Sequence, residues 1–332
     1  MRTYQFEKTS TRNVWRVVNT KTRNWEWYWS GRLGRDKIPA EEGIWLRAES
    51  SIINNGWPKG KWFLDWLRTL PKEESDRIFE EASRRGTRVH RAIEMMFESN
   101  PKTNTFSGLY VTKKKTSVIR REMEVWDEKQ QKMVPLEHKD WECILSFAHF
   151  WNLHAPFVFA VGSTLVNERM RYAGTTDITG WILTKSCGVK QCPCGPVIGK
   201  IGLVDLKTTT AIRDAHGLQV AAFAAADNIR EYLNGRDVQY TCDLRLGTDH
   251  VNTRGYEFVV YDTEKTAKNL ESFLHANAID EATRTEFSPE KEIQTLIYDV
   301  AIEIRPVPKT RVLIVNGTTK VKLGKKKTKL GK

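Results

Sequence analysis

The chain has no apolar run long enough to cross a membrane, no internal repeat, and only five cysteines in 332 residues. The missing apolar run, together with 28% charged residues, argues against a membrane protein. The cysteines are odd in number and scattered as Cys143, Cys187, Cys192, Cys194 and Cys242, which does not make the paired framework of a small secreted domain. The opening residues, Met1-Arg-Thr-Tyr-Gln-Phe-Glu7, have neither a signal-peptide h-region nor the acid-free composition of a transit peptide, so the expected compartment is the cytoplasm. Acids are missing from one place in particular. Lys320 to Lys332 holds seven lysines and no Asp or Glu, so the tail carries more than half of the formal net charge of +12, and the body is only mildly basic. A lysine tail of this kind reads as disordered; it either attracts phosphate backbones without reading sequence or simply aids solubility.

Tryptophan, by contrast, is concentrated. Eight of the twelve lie in the first seventy residues, and Trp25, Trp27 and Trp29 alternate as on a strand with one aromatic face, paired in a hairpin with Val14 to Val18. Arg12, Arg16, Lys21, Arg23, Arg32, Arg35 and Lys37 are interleaved with them. Two readings follow: a stacking platform for single-stranded nucleic acid, or a packed aromatic face with snorkelling arginines.

Helical spacing of Ile78, Phe79, Ala82, Val89, Ile93, Met96 and Phe97 predicts a long amphipathic helix over Glu73 to Glu98, on which Gly86, His90 and Glu94 share a stripe. A polar loop over Asn100 to Lys115 precedes a second helix, Leu136 to Leu153, closed by Pro156. A strand from Phe157 to Met170 then leads through Glu168 and turns back through Tyr172 to Leu183. Asp214 to Leu233 reads as an alanine-rich helix, Tyr240 to Leu246 and Gly255 to Tyr261 as strands, Glu264 to Asn277 and Glu290 to Ile304 as helices. The resulting expectation is an α/β chain with a tryptophan-rich region over residues 1–72, a main domain over 73–316 and a basic tail over 317–332.

The chemistry concentrates in Tyr172-Ala-Gly-Thr-Thr-Asp-Ile178 and Lys200-Ile-Gly-Leu-Val-Asp-Leu-Lys207. With a side-chain period of two, Asp205 and Lys207 share one face of a buried strand while Val204 and Leu206 take the other. A carboxylate and an ammonium there are costly to desolvate unless a partner or a metal ion compensates. Asp177 is the natural second carboxylate. The alternatives are a strand-edge salt bridge for Asp205 and Lys207, a packed helix histidine for His90 and an ordinary exposed acid for Glu168.

In order along the chain, Gly86-x-x-x-His90, Gly174-x-x-Asp177, Asp205-x-Lys207 and Gln219-x-x-x-Phe223 resemble the P-D-(D/E)-x-K nuclease superfamily, in particular the RecB-like exonucleases of recombination complexes, CRISPR-associated nucleases and phages. The resemblance covers roughly Glu73 to Leu233. It implies a restriction-endonuclease-like central mixed sheet flanked by helices, and a DNA nuclease, expected to be an exonuclease of recombination or replication that leaves 5′-phosphate ends. In a phage setting the compartment would be the host cytoplasm, and an annealing protein or a helicase a possible partner. By the same resemblance Asp177, Asp205, His90 and the Leu206 carbonyl would hold Mg²⁺ or Mn²⁺, with Glu168 as a possible second-metal ligand. Lys207 would activate the attacking water and Gln219 would support the site.

This chain departs from the family in two ways. Phe223 stands where tyrosine is commoner, which predicts a packing role. A cysteine-bearing hairpin, residues 184–199, lengthens the separation between the acid strands. Its Cys187, Cys192 and Cys194 are three local thiols, and a structural Zn²⁺ would need a fourth ligand, Cys242 or His216; otherwise they are reduced thiols in a loop. Two other functions stand beside the nuclease: a non-catalytic nucleic-acid-binding protein and a metal-dependent hydrolase of another phosphate ester.

Overall fold

The structure is a computed structural model that describes residues 4–20, 25–34, 39–98, 111–112, 115–116, 123–127, 130–189, 192–247, 255–283, 311–315 and 319–323. The chain opens with an antiparallel meander, β1 (Tyr4–Lys8), β2 (Val14–Asn19), β3 (Trp25–Leu33) and β4 (Pro39–Ala48), followed by α1 (Glu49–Gly56), α2 (Lys61–Arg68) and the long α3 (Lys72–Glu98). Two short ribbons come next, β5 (Val111–Thr112) with β6 (Lys115–Thr116) and β7 (Glu124–Asp127) with β8 (Lys132–Pro135), then α4 (His138–His154). Strands β9 (Phe157–Val161), β10 (Thr164–Asn167), β11 (Tyr172–Thr175), β12 (Ile178–Ile182) and β13 (Ile201–Lys207) lead to α5 (Asp214–Ala224) and the short α6 (Ile229–Tyr232). Strands β14 (Tyr240–Leu246) and β15 (Tyr256–Tyr261) and helix α7 (Thr263–Thr283) complete the larger compact unit, which ends at Ala282. The smaller unit, Thr283–Lys332, contains a hairpin of β16 (Arg311–Val315) and β17 (Thr319–Leu323).

The chain is thus α/β with mixed sheets. One sheet has the order β1-β2-β3-β4-β11-β10, the other β15-β14-β13-β12-β9. In the second, β13 and β14 are parallel and the remaining pairs antiparallel; a parallel pair needs a crossover, which α5 and α6 supply. The two sheets are joined through a bent hairpin. Strands β9 and β10 form one arm and β11 and β12 the other, and the bend falls at Gly162–Ser163 opposite Thr176–Asp177. Backbone pairing continues through it, Thr176 N donating to Ser163 O (2.9 Å) and Gly162 N to Asp177 O (3.1 Å). Gly162 has φ +64°, a left-handed conformation that glycine adopts at little cost.

Two of the alternating tryptophans of β3, Trp27 and Trp29, are core. Trp27 and Trp29 are buried with Val17 and packed by Tyr4, Phe6, Trp15, Leu33 and Trp45; Trp29 and Trp45 lie 5.0 Å apart, and the Arg47 guanidinium stands 5.0 Å from the Trp27 ring centre. For these residues the packed-face reading holds.

The largest apolar cluster lies on the side of the second sheet that carries Val204 and Leu206, under α3 and α4, with Phe150 stacked on the fully buried Trp181 at 5.1 Å. Ile201 and Leu203 point the other way, into a cluster with Val220 and Phe223 of α5. Helices α3 and α4 are clamped by buried Arg88, whose Nε and Nη2 donate to Asp140 Oδ2 (2.6 Å) and Oδ1 (3.2 Å); Asp140 also accepts from the Glu137 amide and so caps α4.

Several sequence expectations change. The expected strand 157–170 is divided by the bend, its halves serving different sheets. The expected helix 214–233 breaks after Ala224, because Asn228 turns to the β10 backbone: its Oδ1 accepts from Val166 N (2.9 Å) and its Nδ2 donates to Thr164 O (3.1 Å). The larger unit ends at Ala282 where the sequence expectation ran to 316, and residues 319–323 of the expected disordered tail form β17, paired with β16. The expected helix over 290–304 and the remainder of the tail lie outside the described residues. Among the described residues no helix is long and apolar enough to cross a membrane.

The Arg88 clamp makes a stability prediction. Asp140→Ala leaves a buried guanidinium with only the more exposed Glu81 and Glu137 beside it, and is expected to lower the unfolding free energy by about 3 kcal/mol or more. Glu80→Ala, which breaks an exposed pair with Arg84, should cost under about 0.5 kcal/mol. Urea denaturation of both variants measures the contrast; equal losses would show that Asp140 does not clamp the helices.

Candidate functional site

The bend, the end of β13 and the start of α5 bring the predicted residues together. Asp177 stands on the bend just ahead of β12, so its carboxylate is not committed to a regular strand face. Its Oδ1 lies 2.9 Å from His90 Nδ1 on α3, and its Oδ2 accepts from the Leu206 amide (2.7 Å) in β13. Leu206 meets this group through its N–H; its carbonyl is the atom that the sequence expectation gave to a metal ion. Asp205 and Lys207, on one face of β13 as their spacing predicted, form an ion pair.

Lys207 Nζ also donates to Gln219 Oε1 (2.8 Å), and Gln219 Nε2 donates to Glu49 Oε1 (3.1 Å). The two contacts fix which end of the Gln219 amide faces which neighbour. Phe223, one turn along α5, is buried against Gly174. A Cβ on Gly174 would come within 2.0 Å of Glu49 Oε2 and 2.6 Å of Phe223 Cε1, so glycine there admits both groups.

Two members of this group were not recognised in the sequence. Glu49 begins α1, immediately after β4, and reaches the site because β4 pairs in parallel with β11. Asp243 is the register partner of Asp205 across the parallel β13–β14 pair, and its Oδ2 accepts from the Tyr261 hydroxyl (2.6 Å). The recurrence of an acid at the same place in a second buried apolar strand, Tyr-Thr-Cys-Asp-Leu-Arg-Leu, was the available signal for Asp243. Glu49 had only its position at a strand-to-helix junction. Glu168 is corrected: it is exposed at the β10 end, where it accepts from Ser30 Oγ (2.6 Å) and its amide donates to Asp227, and it does not join the carboxylate group.

The electrostatics reflect a surplus of acid. Burial pushes Asp205 up to about 8; Lys207 offsets part of this, and Asp177 and Asp243 add to it. Burial likewise pushes Glu49 up to about 7 and Asp243 up to about 6, against partial relief from Gln219 in the first case and from Lys207 and Tyr261 in the second. Asp177 is held below its ordinary value because His90, the Leu206 amide and Lys207 outweigh the effect of burial. His90 and Lys207 are raised, burial being outweighed by Asp177 for the first and by Asp205 and Asp243 for the second. His216, at the start of α5, is pushed down to about 3 by burial, Lys207 and Arg213. Glu49 Oε2 and Asp243 Oδ1 are buried with no hydrogen-bond partner among the described residues.

A second group of donors can hold a metal ion: His154, Cys187, Cys192 and Cys194, with ligand atoms all within 4.8 Å of one another. The fourth member expected from the sequence is corrected. Cys242 is buried in β14 with Sγ 3.4 Å from Leu203 O, and His216 accepts from the Arg213 amide through Nδ1 at the start of α5. His154 takes the place because Thr184 N and Lys185 N both donate to its carbonyl (3.1 Å each), which draws the cysteine loop to the end of α4.

No known family model matches the chain, and no curated protein sequence is similar to it.

Glu49 gives a pH prediction. Its folded value near 7 lies above the ordinary glutamate value of about 4.3, so between the two the folded state holds a proton that the unfolded chain has released. The contribution is therefore most favourable below the unfolded value and is lost as pH rises towards 7. Glu49→Gln keeps an oxygen for Gln219 to donate to and removes the titration. In metal-free protein the melting midpoint of the wild type should fall more steeply than that of the variant between about pH 5 and pH 8; parallel curves would place Glu49 at an ordinary value.

Proposed function

We propose that the chain is a metal-dependent deoxyribonuclease with a restriction-endonuclease-like core, acting as an exonuclease in recombination or replication. The observation that carries this reading is the surplus of carboxylate at the end of β13, where buried Glu49, Asp205 and Asp243 and half-buried Asp177 face Lys207 and His90, and two of the buried carboxylate oxygens have no hydrogen-bond partner among the described residues. Buried charge of one sign requires compensation, and a set of hard oxygen donors suits Mg²⁺ or Mn²⁺. Asp177 and Asp205 would hold the ion, with the Leu206 carbonyl as a further donor and His90 and Asp243 adjusting its surroundings. Bound there, it would offset the charge of the scissile phosphate and lower the pKa of the attacking water.

The chain's own groups supply the remainder. Lys207 is the cation positioned to orient a water and to meet negative charge developing at phosphorus, and its amine is held from two sides by Asp205 and Gln219. Gln219 and Glu49 keep that amine in place. His90 holds the Asp177 carboxylate from one side while the Leu206 amide holds it from the other, which fixes its orientation before any ligand arrives. The mixed sheet with a crossover between β13 and β14 supports the fold assignment, since it aligns Asp205 with Asp243. The donor sets also divide by softness. The oxygens suit Mg²⁺ or Mn²⁺, whereas thiolates and imidazole suit Zn²⁺.

Incubation with linear duplex, single-stranded and closed circular DNA tests the reading. The wild type should degrade linear DNA with Mg²⁺, stop with chelator and spare closed circles, and Asp205→Ala and Lys207→Ala should each lose about 10³-fold in rate. Mg²⁺-dependent cleavage that survives both substitutions would overturn the assignment of the site. DNA binding without cleavage, or hydrolysis of another phosphate ester alone, would overturn the activity.

A further inference from the structure

We infer that His154, Cys187, Cys192 and Cys194 bind a single Zn²⁺ that fastens the β12–β13 connection to the end of α4. Four ligand atoms within 4.8 Å of one another match one ion, since a cluster of several irons would hold them further apart. Cys187 Sγ and Cys194 Sγ are 3.6 Å apart, against about 3.8 Å for the edge of a tetrahedron with Zn–S bonds of about 2.3 Å. None of the three cysteines is joined in a disulfide. One imidazole and three thiolates make a complete structural zinc set, which leaves no open position for substrate and so marks a structural site.

The local fold presents the ligands without the ion. In the cysteine loop Cys192 N donates to Val189 O (3.0 Å) and Val197 N to Cys194 O (3.1 Å), and Gly199 N closes its base on Leu183 O (2.9 Å). His154 is buried beside Phe150, their ring centres 4.4 Å apart. Its Nδ1 lies 3.2 Å from Lys185 O and its Nε2 3.4 Å from the Tyr256 hydroxyl, so whichever nitrogen binds the ion, the other has a partner to fix the ring, as zinc-bound histidines require.

The consequence reaches the carboxylate site through the chain. The loop joins β12, which begins beside Asp177, to β13, which carries Asp205 and Lys207. An ion that ties this loop to α4 fixes the far ends of both strands. It shares no residue with the carboxylate group and does not depend on the nuclease reading.

Metal content decides it without any DNA substrate. Full-length protein purified without a metal-affinity step should contain about one zinc per chain, and Co²⁺ in its place should give the visible absorption of a tetrahedral thiolate site. Cys194→Ser and His154→Ala should each hold at least about tenfold less zinc, while Asp205→Ala retains it. Titrating the wild type with a thiol-specific mercurial should release zinc in step with thiol modification, a readout that remains if the variants fail to fold. Wild-type protein without zinc after reconstitution, or full zinc content in a Cys187→Ser/Cys194→Ser double variant, would overturn the inference. A zinc-loaded chain with no nuclease activity would count against the proposed function alone.

Discussion

Burying a carboxylate costs free energy that only a hydrogen bond or an opposite charge returns, and this fold brings three buried carboxylates and the half-buried Asp177 to the end of a single strand. Among the described residues Lys207 and His90 face them, and both are already engaged, with Asp205 and Gln219 in one case and Asp177 in the other. Hydrogen bonds satisfy much of what remains: the Leu206 amide on Asp177, Gln219 on Glu49, Tyr261 on Asp243. What they leave is carboxylate pushed above its ordinary range and two buried oxygens without a hydrogen-bond partner among the described residues. A packed salt bridge between Asp205 and Lys207 alone would not need Glu49 or Asp243 nearby. The proposed divalent cation accounts for all four acids at once.

The architecture explains how a chain assembles such an unfavourable group. Each acid comes from a different structural cause. Asp177 lies where a long hairpin bends between two sheets, Asp205 on the buried strand after it, Asp243 across the parallel pair, and Glu49 at the junction of the N-terminal sheet and α1. The N-terminal sheet is therefore part of the site's construction. Its β4 pairs with β11, and Gly174 of β11 leaves the space that the Glu49 carboxylate occupies. The ion pair of Arg88 and Asp140 keeps α3, and with it His90, against α4 on the other face.

Local pattern carried much of this. The helix bearing His90, the strand bearing Asp205 and Lys207, and the α5 face bearing Gln219 and Phe223 were readable because each side chain's direction follows from the period of its own element. The Trp27 and Trp29 face was readable as a strand but left open between packing and stacking, since period alone does not say what covers a face. Glu49 was not legible because its approach depends on a parallel pairing between strands more than a hundred residues apart. The fourth member of the thiol group was misassigned for the same reason. His154 has no local relation to the cysteines and is brought to them by backbone bonds from Thr184 and Lys185. Glu168 was assigned by the resemblance, and it stands at the β10–β11 turn, at the end of the hairpin away from Asp177.

The claim that the carboxylates await a cation is tested most directly by anomalous diffraction from crystals of the protein soaked in Mn²⁺, compared with crystals of Asp205→Asn treated alike. The account predicts a manganese peak in contact with Asp177 and Asp205 in the wild type, with Lys207 released from its pairing with Asp205, and no such peak in the variant. Absence of manganese from a wild-type site in which Asp205 and Lys207 remain paired would contradict it.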